Sequence, residues 1–272
     1  MEVTQHPLNT SFTWPEQEGA NNFLNSSQLE SWNKHGYFLL ENALDVELLK
    51  QVEEEIDPLE ADYEAELVKQ GGQFGISKAD ALTFTTHVVT RSKLLKLFSM
   101  GEVFIQLCLN LIGPEARLYW DQAVYKKPGN PEEFPWHQDN GYSFVEPQTY
   151  LTCWLPLTDA TIENGCPWVL PGAHRLGTLK HHITPLGFQC VENPEDAIAI
   201  PAKAGDVVVF SSLTPHRTGP NLTDEVRKAY ILQYCHGVSE VITPKGDRIR
   251  QEANERQFPV VRNGRSVVAE QE

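Results

Sequence analysis

The chain has 272 residues, of which 40% are hydrophobic and 22% charged, and a formal charge of −15. That composition is ordinary for a globular protein long enough for one large domain. The acidic balance argues against a nucleic-acid partner, because phosphates call for clustered Lys and Arg. Five cysteines, Cys108, Cys153, Cys166, Cys190 and Cys235, include no Cys-X-X-Cys pair, so neither a disulfide framework nor a zinc knuckle is expected. No apolar run approaches the ~18 residues of a membrane span, so no membrane partner is expected. The opening Met1-Glu2-Val3-Thr4-Gln5-His6 lacks the basic and apolar regions of a signal peptide. The closing Ala269-Glu270-Gln271-Glu272 is not the Ser-Lys-Leu peroxisomal address. A cytoplasmic location is the expectation; nothing in the chain signals an oligomeric state.

Residues 1–25 are polar and aperiodic, an arm expected to lie over the rest. Ser27 and Glu30 read as a capping box before a short helix carrying Leu29 and Trp32, stopped by Gly36. Tyr37 to Leu40 is a short strand. Asp45 caps a second helix with Leu48, Leu49, Val52 and Ile56 on one stripe, ending before Pro58. The acidic stretch Glu53 to Glu66 reads as a solvated face. Gly71-Gly72 marks a loop, and residues 92–111 form a helix that Gly113-Pro114 stops.

From Arg117 the pattern changes to short extended runs: Leu118 to Tyr125, Trp136 to Tyr142, Tyr150 to Leu155, Trp168 to Leu170, Ala197 to Ile200, Asp206 to Phe210 and Arg227 to Tyr234. Turns such as Pro128-Gly129-Asn130 and Gly219-Pro220-Asn221 separate them. Many short strands at this spacing predict a mainly β fold with flanking helices, a jelly-roll core of cupin type. The expected organisation is an arm over 1–25 and a single domain over 26–272. Its N-terminal half is helical and its β core covers about 117–236.

Chemistry concentrates in Pro135-Trp136-His137-Gln138-Asp139-Asn140-Gly141-Tyr142. On an extended strand His137 and Asp139 point to one face, with Cα atoms about 6.6 Å apart, so both can reach one metal ion. His216, delivered after the buried run Val207 to Phe210, is the expected third ligand. Two histidines and a carboxylate on one face of a metal describe the facial triad of non-haem iron(II) oxygenases. Arg227 follows His216 by eleven residues and shares a strand face with Ala229, Ile231 and Gln233. Placed inward it is a buried cation in need of an anion, and its fork matches a carboxylate, which suggests a dicarboxylate cosubstrate.

Trp136-His137-Gln138-Asp139, the run Asn164 to His174, and His216-Arg217-Thr218-Gly219-Pro220-Asn221 followed by Arg227 closely resemble the phytanoyl-CoA dioxygenase family. The resemblance runs from about Tyr37 to His236. It implies an Fe(II)- and 2-oxoglutarate-dependent dioxygenase on a double-stranded β-helix, with His137, Asp139 and His216 as catalytic iron ligands. It gives Arg227 the distal carboxylate of 2-oxoglutarate, helped by Thr218, and puts Gln138 and Trp154 against that cosubstrate. The implied reaction uses O2 to hydroxylate an unactivated C–H bond of a small molecule, releasing succinate and CO2. With a carboxylate at Asp139, no iron position is given up to chloride, which favours hydroxylation over halogenation.

Asp121 and Tyr125 before the metal strand, and Asn140, Tyr142 and Phe144 after it, are the candidates for lining the substrate pocket. His87, His174, His181 and His182 read as surface residues, and Cys153 and Cys166 as small core residues. The competing reading keeps the triad but gives it a redox-neutral divalent-metal hydrolase or isomerase. It leaves Arg227 without a purpose.

Overall fold

The computed structural model describes residues 3–18 and 23–267. Arm positions 1, 2 and 19–22, and the ending at 268–272 read above for a targeting signal, lie outside the described residues. Nine strands matter for the site: β1 (Tyr37–Leu40), β2 (Leu82–Thr86), β3 (Ala116–Lys126), β4 (Phe134–His137), β5 (Leu151–Pro156), β6 (Pro167–Val169), β7 (Val207–Ser211), β8 (His216–Thr218) and β9 (Arg227–His236). The main sheet is antiparallel in the order β1-β7-β5-β9-β3-β2. A smaller sheet runs Ile198–Ala199, β6, β8, β4. Together they make the jelly-roll core of a mainly β fold.

Cross-strand partners share a face of a sheet, so register sorts the side chains into rows. Tyr37, Phe210, Thr152, Gln233 and Trp120 form one row. Leu39, Val208, Trp154, Ile231, Gln122 and Thr86 form the next. Pro156, Ala229, Val124 and Phe84 follow, then Arg227, Lys126 and Leu82. Most apolar members of these rows, among them Phe210, Val208, Trp154, Ile231 and Phe84, pack with Phe134, Cys166 and Val169 of the smaller sheet's side, inside the barrel.

The opposite face carries Val209, Cys153, Leu155, Tyr230, Leu232 and Tyr125, which pack with Val52, Ile56, Leu95 and Phe104 of the helical layer. That layer holds α1 (Ser26–His35), α2 (Val46–Lys69), α3 (Lys93–Phe98) and α4 (Glu102–Leu111). Its arrangement corrects four local expectations. The first capping box is Asn25 with Gln28, two residues upstream of the Ser27 and Glu30 pair. α2 runs straight through Pro58, which lies exposed, where water can take the carbonyl that the missing N–H leaves. The 92–111 run is two helices, because Ser92 caps α3 and Gly101 starts α4.

The acidic stretch of α2 is only partly a solvated face. Glu53 and Asp57 bind Lys228 at 2.7 and 2.8 Å, and Glu60 and Glu64 bind Lys127 at 2.9 and 2.6 Å. Their spacing of four and three residues puts them on one side of the helix, turned to the sheet.

Candidate metal and cosubstrate site

The strand bearing His137 ends five residues earlier than the extended run Trp136 to Tyr142 suggests. β4 stops at His137, Gln138 is still extended (φ −107°, ψ 144°), and Asp139 opens a 3-10 turn through Gly141. The extended Gln138 preserves the alternation, so His137 and Asp139 stay together while the amide between them points away. His216 opens β8 directly opposite His137.

One ligating atom from each of His137, Asp139 and His216 lies within 4.8 Å of the other two. His216 Nε2 and Asp139 Oδ1 are 3.7 Å apart, and the two imidazole centroids 4.1 Å. Each ring is anchored by its other nitrogen to a carbonyl two residues back: His137 Nδ1 to Pro135 O at 2.8 Å, His216 Nδ1 to Thr214 O at 3.0 Å. A carbonyl can only accept, so Nδ1 carries the proton in both and the Nε2 lone pairs face each other. Thr152 donates to Asp139 Oδ2 at 2.5 Å, and Gln233 also reaches this carboxylate; Oδ1 is the oxygen turned to His216.

Burial and the neighbouring His216 push His137 down to about 3, and burial takes His216 down to about 4. Burial raises Asp139. Neutral imidazoles beside an acid that is costly to ionise suit a cation placed among them. The donor set, two nitrogens and one oxygen on adjacent sides, fits ferrous iron.

Further along the barrel, Arg227 is 1% exposed. Its guanidinium lies 5.4 Å from the Trp154 ring, and Nη1 donates weakly to Val124 O at 3.4 Å. Nε and Nη2 are buried with no acceptor among the described residues. Thr218 turns its hydroxyl to the same end, 3.3 Å from Lys126 Nζ. The structure thus brings Arg227, Thr218 and Trp154 to one end wall.

Gln138 is placed elsewhere. Fully buried, its side chain donates to Gly177 O and Leu213 O at 3.0 and 2.6 Å and accepts from Leu179 N at 2.6 Å. It ties the loop before His216 to the strand bearing His137. His181, read as a surface residue, is half-buried and accepts the Gln138 main-chain N–H through Nε2 at 2.9 Å. His174 is fully buried against Trp14, at 4.3 Å between ring centroids. His182 is exposed.

The five substrate-pocket candidates scatter. Asp121 and Tyr125 lie on the helix-facing side of β3, opposite to the triad. Asp121 accepts from Val89 N and the Tyr230 hydroxyl, and the Tyr125 hydroxyl donates to Asp57 at 2.7 Å. Asn140 is consumed by Val145 N at 3.0 Å and Thr178 Oγ1 at 2.6 Å. Phe144 is buried under His6, 4.8 Å away. Tyr142 alone borders the triad, its ring edge-on to His137 at 5.5 Å. The pleat shows instead Trp120, Gln122 and Thr86 on the triad's side of the sheet. His87 sits beside them, its ring 4.3 Å from Trp120. Period two groups Trp120 with Gln122, but only their pairing with Gln233 and Ile231 of β9 shows that this row faces the barrel.

Two glycines allow close approaches that the site needs. Gly36 (φ +79°) ends α1, and a Cβ there would lie 2.6 Å from His174 and Thr214; its carbonyl accepts from the Thr214 hydroxyl, whose residue orients His216. Gly165 (φ +93°) lies against Gly219 O, where a Cβ would approach to 2.5 Å.

The phytanoyl-CoA dioxygenase (PhyH) family model matches residues 32–229. The chain is 31% identical over 225 residues to a methylphosphonate hydroxylase of Gimesia maris, covering 79% of this chain and 82% of that protein. It is 29% identical over 145 residues to a phytanoyl-CoA dioxygenase of Arabidopsis thaliana, covering 51% of each, so it spans about half of that relative's length. Among solved structures, EctD from S. alaskensis with 2-oxoglutarate and 5-hydroxyectoine superposes with a TM-score of 0.69 at 20% identity, covering 90% of this chain and 87% of that one. EvdO2 from Micromonospora carbonacea var. aurantiaca, complexed with 2-oxoglutarate, gives 0.62 at 24%, covering 80% and 92%. These two likenesses concern the fold. The family match covers most of the chain, including all three triad residues, and on it this protein belongs to the phytanoyl-CoA dioxygenase family.

Proposed function

We propose that the chain is an Fe(II)- and 2-oxoglutarate-dependent hydroxylase of a small molecule. His137 Nε2, Asp139 Oδ1 and His216 Nε2 would hold the iron. Arg227 and Thr218 would bind the distal carboxylate of 2-oxoglutarate, with Trp154 behind the guanidinium. When bound, iron with O2 and 2-oxoglutarate supplies the oxidising power that side chains lack, and the cosubstrate leaves as succinate and CO2.

The protein's own residues bind, orient and exclude water. Three ligands on adjacent sides leave the remaining positions to exogenous groups. Phe134 and Phe210 flank the imidazoles at 4.9 and 4.4 Å and keep that side dry. Trp120, Gln122 and Tyr142 are the residues we assign to the substrate side, in place of Asp121 and Tyr125.

The observation that carries this reading is the unanswered Arg227 guanidinium, buried with two donors lacking acceptors in the same barrel as the triad. A buried cation without an anion is costly, so its retention speaks for an anionic ligand. A redox-neutral metal hydrolase gives it nothing to bind. The likeness to the Gimesia hydroxylase supports hydroxylation and makes methylphosphonate the first substrate to try. Incubation with Fe(II), O2 and 2-oxoglutarate, with and without that phosphonate, should release succinate. No succinate in either case would overturn the proposal.

A further inference from the structure

Lys126 sits directly across the strand pair from Arg227 and is fully buried. Among the described residues neither cation is paired with a carboxylate. The acids acting on Lys126 are already engaged: Glu132 with Lys78 at 3.3 Å, Glu133 with Arg217. Burial, then the charge of Arg227, pushes the Lys126 ammonium well below the usual lysine value. That lowering works against the charge, so it is the three acceptors around Nζ that hold Lys126 as a cation beside Arg227.

The hydrogen bonds of Lys126 say more. Nζ has three acceptors: Gly219 O at 2.5 Å, Glu132 O at 3.3 Å and Thr218 Oγ1 at 3.3 Å. They match the three N–H groups of an ammonium. Because Lys126 donates to a lone pair of Thr218 Oγ1, the hydroxyl proton must turn away from Nζ. Thr218 is thereby made a donor. That proton joins Arg227 Nε and Nη2, which have no acceptor among the described residues.

We propose that Lys126 is a positioning residue for the distal carboxylate of the keto-acid cosubstrate: it turns the Thr218 hydroxyl into a donor and, with Arg227, selects a keto acid with an anionic tail. The inference rests on the 2-oxoglutarate reading above and adds a residue to it. Lys126 also fixes the Gly219 turn that carries Thr218, against which Gly165 packs.

The test is calorimetric titration of the Ni(II)-loaded protein with 2-oxoglutarate and with oxalate, a chelator that has no tail. Lys126→Met should raise the Kd for 2-oxoglutarate about tenfold or more, the scale of a lost hydrogen bond to a charged group. Its affinity for oxalate and for Ni(II) should stay within about twofold, since removing a tail contact leaves chelation alone. Thr218→Val should weaken 2-oxoglutarate in the parent protein and cost less once Lys126 is replaced, because the two act as a unit. Should Lys126→Met fail to fold, Lys126→Gln, whose amide still donates to the carbonyls, carries the same expectation. Unchanged 2-oxoglutarate binding, or equal loss of both chelators, would overturn the role of Lys126. If Arg227→Met also leaves 2-oxoglutarate binding untouched, the cosubstrate reading itself fails.

Discussion

Arg227 and Lys228 are neighbours in sequence and opposites in company. The pleat of β9 sends Lys228 to the helical layer, where its ammonium meets Glu53 and both oxygens of Asp57 within 2.9 Å. It sends Arg227 into the barrel, where no carboxylate among the described residues answers it. The same division runs along the whole sheet. On the helix side Tyr125 finds Asp57, Asp121 finds Tyr230, and Thr83 finds Glu60. On the barrel side lie a triad able to hold a metal, with facing lone pairs, and a guanidinium with two idle donors. On the helix face the charged groups are paired and stabilise the fold, with Asp121 Oδ1 and Thr85 Oγ1 left over; on the barrel face a whole guanidinium edge is left incomplete, and function belongs where charged groups await a partner.

The contrast can be broken by substitution. The largest loss should follow His137→Ala or Asp139→Ala, which should abolish succinate release, with a metal titration showing the cause. Arg227→Met comes next. Truncating one partner of a buried charge pair typically costs about 2–5 kcal/mol, so the 2-oxoglutarate requirement should rise at least about thirtyfold while metal affinity holds. Thr152→Val frees Asp139 Oδ2 and should weaken metal binding about 10–100-fold, the usual cost of losing a group that orients a ligand. Lys228→Met, on the other face, should cost only about 1 kcal/mol of stability, since its partner Asp57 is 44% exposed. It should leave the 2-oxoglutarate requirement alone; a shift there would erase the distinction between the faces.

The mildest expectation concerns pH. Burial is the main cause that lowers His137 to about 3 and His174, His181 and His216 to about 4. The unfolded chain therefore binds more protons than the folded one between those values and the ordinary histidine range. Stability complete above pH about 6.5 is lost progressively as pH falls toward the folded values. The urea midpoint of the metal-free protein should drop between pH 7 and pH 5, and a flat midpoint would contradict the burial of these rings.

The triad and Arg227 could be read in the sequence because residue type and period two carry the message together. Two nitrogens and a carboxylate narrow the chemistry, and alternation puts Arg227 with Ala229 and Ile231. Period two tells which residues share a face but not which face is the barrel; register with β9 was needed for that. Asp121 and Tyr125 were misplaced on this account, since only pairing with Gln233 and Ile231 reveals Trp120 and Gln122 as the inward set. Lys126 was overlooked because the strand was expected to end at Tyr125. Gln138 read as a cosubstrate contact from its position between two ligands, yet its side chain points backwards into a cage of main-chain groups. Pro58 did not stop α2, because packing and ion pairs on the helix's inner side outweigh one lost hydrogen bond at its surface.

The most direct test is optical. Under strict exclusion of oxygen, 2-oxoglutarate added to the Fe(II)-loaded protein should produce a weak visible charge-transfer band in the parent chain. The band should need far more 2-oxoglutarate in Arg227→Met and be absent in His137→Ala. No band in the parent protein at saturating Fe(II) and 2-oxoglutarate would contradict the account.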